Sequence, residues 1–96
     1  MNKLDTPDAI YRRIINKGIT IESGLDLLIS LLQENDNNDF FFRCKGIIEK
    51  IYLHYKKTYD VLHLIIKKQQ NPSTKFIIVK LFIISFPKKF KRFRTV

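Results

Sequence analysis

Apolar residues return three and four positions apart through most of this chain, in five stretches separated by short polar breaks. That spacing paints one face of a helix. Leu25, Leu28, Ile29 and Leu32 follow the i, i+3, i+4, i+7 pattern after Thr20 or Ser23, either of which suits a helix cap. Before them, Thr6-Pro7-Asp8 opens a first helix with a cap, a first-turn proline and an acid for the helix dipole. Ile10, Tyr11, Ile14 and Ile15 share its face, and Gly18 stands where a left-handed residue closes a helix.

A third segment starts at Asp36, with Asp39 three residues on in the manner of a capping box, and runs to about Tyr55. Phe41, Cys44, Ile48, Ile51 and Tyr55 line one side, flanked by Ile47 and Tyr52. Lys56-Lys57-Thr58 turns the chain into a fourth segment carrying Val61, Leu62, Ile65 and Ile66. Asn71-Pro72 opens a fifth, with Phe76, Ile77, Val79, Leu81, Phe82, Ile83, Ile84 and Phe86, and Pro87 stops it. The β-branched runs at Ile77-Ile78-Val79 and Ile83-Ile84 would suit a strand. The Asn-Pro start and the lack of partner strands favour helix.

The segments also repeat. The second and fourth align at an offset of 34, with Asp26 on Asp60, Leu28 on Leu62, Leu31 on Ile65 and Leu32 on Ile66. The third and fifth align at 35, with Asp36 on Asn71, Phe41 on Phe76, Lys45 on Lys80, Ile48 on Ile83 and Ile51 on Phe86. A helix pair that recurs with a polar turn cannot bury its apolar face alone, so neighbouring pairs stack.

On these residues the stretch from Ser23 to Phe86 resembles the HEAT-repeat family and its armadillo-like relatives. The turn Asn71-Pro72-Ser73-Thr74-Lys75 carries the likeness, with Lys75 in the basic position the family places after its Asp-Pro turn. Phe41 stands near that place in the first repeat, and Phe41, Phe42, Ile77, Phe82 and Ile83 are bulky where the family has small residues. The period is also near that of tetratricopeptide repeats, whose Trp, Gly-Tyr and Ala landmarks are missing. The resemblance implies an all-α chain, a short right-handed α-solenoid of antiparallel hairpins with about five helices. Residues 1–20 would form a capping helix, 21–55 and 58–87 two repeats, and 88–96 a basic tail. Two repeats are fewer than the three or so a solenoid usually needs. The expectation is therefore a piece of a longer array, a homo-oligomer or a docked terminal module.

Charge divides the chain. Residues 1–48 hold six basic and seven acidic residues, a net −1, whereas residues 49–96 hold twelve and two, a net +10. The basic half suits nucleic acid, a membrane surface or an acidic protein face, or equally a solvated surface that keeps an apolar chain in solution. The longest apolar run, Phe76 to Phe86, is interrupted by Lys80 and falls short of the roughly 18 residues a membrane span requires. One cysteine, Cys44, rules out an internal disulfide and fits a reduced, cytoplasmic setting. No secretion leader is read in Met1-Asn2-Lys3-Leu4-Asp5.

Chemistry is sparse. His54, His63 and Cys44 match no zinc spacing, so no metal or cofactor is expected. Cys44 lies on the apolar stripe with Ile48, which favours inert packing over a nucleophile's role. The nine acidic residues mostly sit at helix starts, where dipole compensation accounts for them. The tail interleaves Lys88, Lys89, Lys91, Arg92 and Arg94 with Phe90 and Phe93, a pattern that neutralises phosphates and stacks on bases, lies on an anionic membrane, or simply begins another helix. The reading is a non-enzymatic protein-binding scaffold, with Lys45, Lys75 and Lys80 as exposed contacts implied by the repeat. The alternative is an anion-binding role for the basic half.

Overall fold

The computed structural model describes residues 6–35 and 37–87. Five helices follow one another: α1 (Pro7–Ile15), α2 (Ile21–Glu34), α3 (Asn38–His54), α4 (Lys57–Lys68) and α5 (Pro72–Ser85), with no strand among the described residues. The β-branched stretch of the fifth segment is helical, as its Asn-Pro opening predicts.

Side-chain caps start most of these helices. Thr6, Thr20, Asn37 and Asn71 each accept a hydrogen bond from a backbone N–H of the first turn. For α2 the cap is Thr20, with Ser23 supplying the N–H. For α3 it is Asn37, whose Oδ1 receives the Phe40 N–H at 2.7 Å. The expected cap Asp36 lies outside the described residues. The end of α1 also differs from expectation. Lys17, not Gly18, takes the left-handed backbone (φ 63°), while the Gly18 N–H bonds to the Arg13 carbonyl at 2.8 Å. That pairing, with Lys17 N–H on Ile14 O, is a Schellman closure, whose left-handed residue is the one before the long bond's donor.

α3 touches all four other helices; α1 also packs on α2, α2 on α4, and α4 on α5. The core runs continuously through these seams, from Ile10 and Ile14 through Leu25, Leu28, Ile48 and Ile51 to Leu62, Ile78 and Leu81. Each fully buried Leu or Ile contributes about 1.5–3 kcal/mol relative to exposure. Tyr52, Tyr59, Phe82 and Phe86 close the seam between α3 and the last two helices, with ring centroids 4.9–5.6 Å apart along their contacts.

Burial corrects the register of the repeat. Leu28 and Leu62, Leu31 and Ile65, and Leu32 and Ile66 are buried pairs at an offset of 34, as expected. The second helices follow the same offset and not 35: Cys44 pairs with Ile78, Ile47 with Leu81, Ile48 with Phe82 and Ile51 with Ser85, all buried. The capping residues Asn37 and Asn71 obey it too. One residue is about 100° of helix rotation. The offset of 35 would therefore put Phe76 beside Phe41 in the core, whereas Phe76 is 69% exposed and Phe41 only 9%. Its true counterpart is Phe42, itself 55% exposed.

Two polar contacts cross between the pairs. The Gln33 amide donates to Thr74 Oγ1, joining the end of α2 to the start of α5. Lys68, in the last turn of α4, reaches Glu22, in the first turn of α2, at 3.8 Å. The end of α4 therefore lies near the start of α2. Ser85, the counterpart of Ile51, is buried and its Oγ has no hydrogen-bond partner among the described residues.

Two glycines test the packing in opposite directions. A Cβ on Gly24 would run into the Ile14 side chain at the α1–α2 seam, whereas at Gly46 nothing lies within 4 Å. Gly24→Ala should destabilise the fold by about 1–3 kcal/mol in urea unfolding, because Ile14 must shift to admit the new methyl group. Gly46→Ala should stabilise it by about 0.5–1 kcal/mol through helix propensity alone. Asn37→Ala and Asn71→Ala should each cost about 1 kcal/mol in the same assay.

Candidate functional site

A groove opens where the two helix pairs meet. Leu32, Asn35, Asn37, Asn38 and Phe41 from the α2–α3 junction form one bank, and Phe76, Ile77 and Lys80 of α5 the other. It encloses about 190 Å³. Three features of the sequence place these side chains. Asn37 caps α3 and turns Phe41 inward; Pro72 starts α5 one turn before Phe76; and Lys80 lies one turn after Phe76 on the same side.

Lys80 Nζ stands 5.1 Å from the Phe41 ring centroid, a cation–π distance. Phe41 meets Phe42 edge-on, with centroids 5.7 Å apart. Lys80 makes no ion pair among the described residues. The groove thus combines aromatic walls, asparagine amides along its rim and one uncompensated cation.

The basic residues expected as contacts fare differently. Lys80 lines the groove and Lys75 is exposed on the same helix. Lys45 is half-buried and bound to Glu49 at 2.7 Å within α3. Lys88, Lys89, Lys91, Arg92 and Arg94 lie outside the described residues. Phe42 and Phe76 were not expected at the surface. The signal for them was the 34-residue register, which sets both off the buried stripe.

The remaining reactive groups have local explanations. Tyr11 Oη and His54 Nε2 share a hydrogen bond of 3.0 Å between α1 and α3. His63 stacks on Phe82, centroids 5.8 Å apart. No group of three His, Cys, Asp or Glu side chains could hold a metal among the described residues. No helix among them is long and apolar enough to cross a membrane. The Asp26 carboxyl is raised from its ordinary value by partial burial first and by Glu22 second, with Lys68 opposing. Glu22 and Asp26 are one turn apart, and like charges at that spacing repel.

A second hollow lies between the α1–α2 turn and Tyr55, lined by Ile14, Lys17, Ile19, Thr20 and Ile21. Of its polar side chains, the Thr20 hydroxyl is already engaged in capping α2.

Cys44 is fully buried, and burial pushes its thiol up to about 12, with Arg43 opposing weakly. The folded chain keeps this proton above the ordinary thiol value, whereas the unfolded chain loses it. The stability this difference contributes is complete below the ordinary value and is lost as pH climbs toward about 12. Iodoacetamide should therefore leave Cys44 unmodified at neutral pH in the folded protein and label it rapidly in denaturant, with unfolding becoming easier as pH rises above about 9. Rapid labelling of the folded chain would contradict this burial.

Comparison with protein-family models, with curated proteins and with solved structures finds no match, so the functional reading rests on the chain's own residues.

Proposed function

We propose that this chain is a non-catalytic protein-binding module, a short α-solenoid of two HEAT-like helix pairs capped by α1. The observation that carries this reading is the recurrence at 34 residues, which runs through capping residues, buried positions and the exposed Phe42 and Phe76 alike. Recurring pairs that share one core leave recurring surface positions free to contact a partner. The contacts of α3 with α1 and α5, and of α2 with α4, are compatible with it.

Large apolar side chains left at the surface support a protein partner. Phe42, Leu53, Leu64, Phe76 and Ile83 are all exposed. Aromatic residues beside a groove are the anchors that interfaces favour.

A second reading has its own support. Lys56, Lys57, Lys67, Lys68 and Lys75 are exposed on the second pair, and of these Lys68 alone lies within ion-pair distance of a carboxylate among the described residues. Such a surface would attract a polyanion.

Salt and nuclease separate the two. Immobilised chain should retain a protein from nuclease-treated native lysate at physiological ionic strength, and retention should fall less than about tenfold between 50 and 200 mM salt. Capture abolished by nuclease, or a loss of about a thousandfold or more over that range, would replace the protein partner with nucleic acid.

A further inference from the structure

We propose that the groove between the α2–α3 junction and α5 is a docking site for an acidic peptide segment, which inserts one large aliphatic or aromatic side chain and places a carboxylate beside Lys80. This deepens the protein-binding reading and rests on it.

Size comes first. Ligand pockets for drug-sized molecules span about 300–1,000 Å³. At about 190 Å³ this one suits a single side chain and not a small-molecule cofactor. The lining chooses the kind of side chain. Leu32, Phe41, Phe76 and Ile77 make an apolar cleft, and Phe76 projects 69% exposed at its mouth, positioned to cover an inserted group. Burying such an anchor between rings is how a few residues come to dominate an interface.

Charge then selects the flank. Lys80 is the one charged side chain lining the groove among the described residues. Its ammonium sits over the Phe41 ring, and no carboxylate among the described residues lies within ion-pair reach. A carboxylate arriving there gains a partner without breaking any ion pair among the described residues. Exposed Lys75, on the same helix, and the chain's net charge of +9 steer an acidic segment toward this end of α5. On the rim, the Asn35 side-chain amide donates to the Leu31 carbonyl at 2.8 Å, which holds that edge of the groove in place.

The choice of a peptide over nucleic acid follows from the same residues. One cation neutralises one phosphate, and phosphate-driven affinity needs many. An apolar cleft with one adjoining cation matches a hydrophobic side chain next to an acid.

The test is a titration of the full-length ¹⁵N-labelled chain, followed by amide shifts. The probe is a short synthetic peptide with a central leucine and phenylalanine flanked by glutamates. Saturable shifts should concentrate on residues 32–41 and 75–80. Replacing the two apolar residues of the probe by serine, or its glutamates by lysine, should weaken binding by about tenfold or more. Lys80→Glu should weaken binding of the acidic probe to a similar degree, and Phe76→Ser should also weaken it. Both positions are exposed, so the fold survives either change. Lys57→Glu makes the same charge change on exposed α4 and should alter affinity less than about twofold.

The proposal is overturned if the shifts spread over α4, if Lys57→Glu acts as strongly as Lys80→Glu, if millimolar probe moves nothing, or if oligothymidylate perturbs the same amides more tightly. Lysate capture distinguishes the two levels. A protein still retained by the Lys80→Glu and Phe76→Ser variants rejects this groove and leaves the binding-module reading standing. Loss of capture by the unaltered chain rejects the module itself.

Discussion

The buried stripe of α3 is the constraint on which the rest of the molecule depends. Phe41, Cys44, Ile47, Ile48 and Ile51 are all buried, and α3 packs against each of the other four helices. The three-and-four spacing gives α3 a broad apolar arc that one neighbour cannot cover. Two flanking helices on each side of it in sequence complete the cover. The hydrophobic gain is shared, so neither helix pair has a finished core of its own. This also explains how the described residues hold five helices together with so few polar ties among them.

The groove is a consequence of that sharing. Asn37 ends the turn that brings α3 back along α2, and Asn71 does the same for α5. The end of α2 and the capped start of α5 are joined through Gln33 and Thr74, and the groove lies beside that junction. Phe41 faces in, Phe76 faces out, and Lys80 comes to rest over the Phe41 ring. The apolar cleft and its cation arise from one register, not from separate elements.

Much of this was legible in the chain's spacing. Five helices, their order, the Thr6 and Asn71 caps and most of the core follow from periodicity and start signals. The register of the second repeat did not. Aligning Asp36 with Asn71 looked natural because an acid often opens such a turn, but Asn37 is the residue whose Oδ1 caps α3. The error of one position was invisible because α5 is apolar almost all round, so its sequence alone names no buried face. Ile78, wholly buried, and Phe76, largely exposed, are equally hydrophobic in the sequence, and only packing against α3 and α4 separates them. Likewise Lys45 and Lys80 look equivalent by spacing. Glu49, one turn away, engages the first, and no acid stands in that place for the second.

The central claim is that both helix pairs form one cooperative unit through α3. Native-state hydrogen exchange of the Ile48→Ala chain tests it most directly, since Ile48 is fully buried and such truncations cost about 2–5 kcal/mol. The account predicts that the slowest amides of α2, α3, α4 and α5 all lose protection by the same amount. Loss confined to α2 and α3, with α4 and α5 unchanged, would mean two separate cores and contradict it.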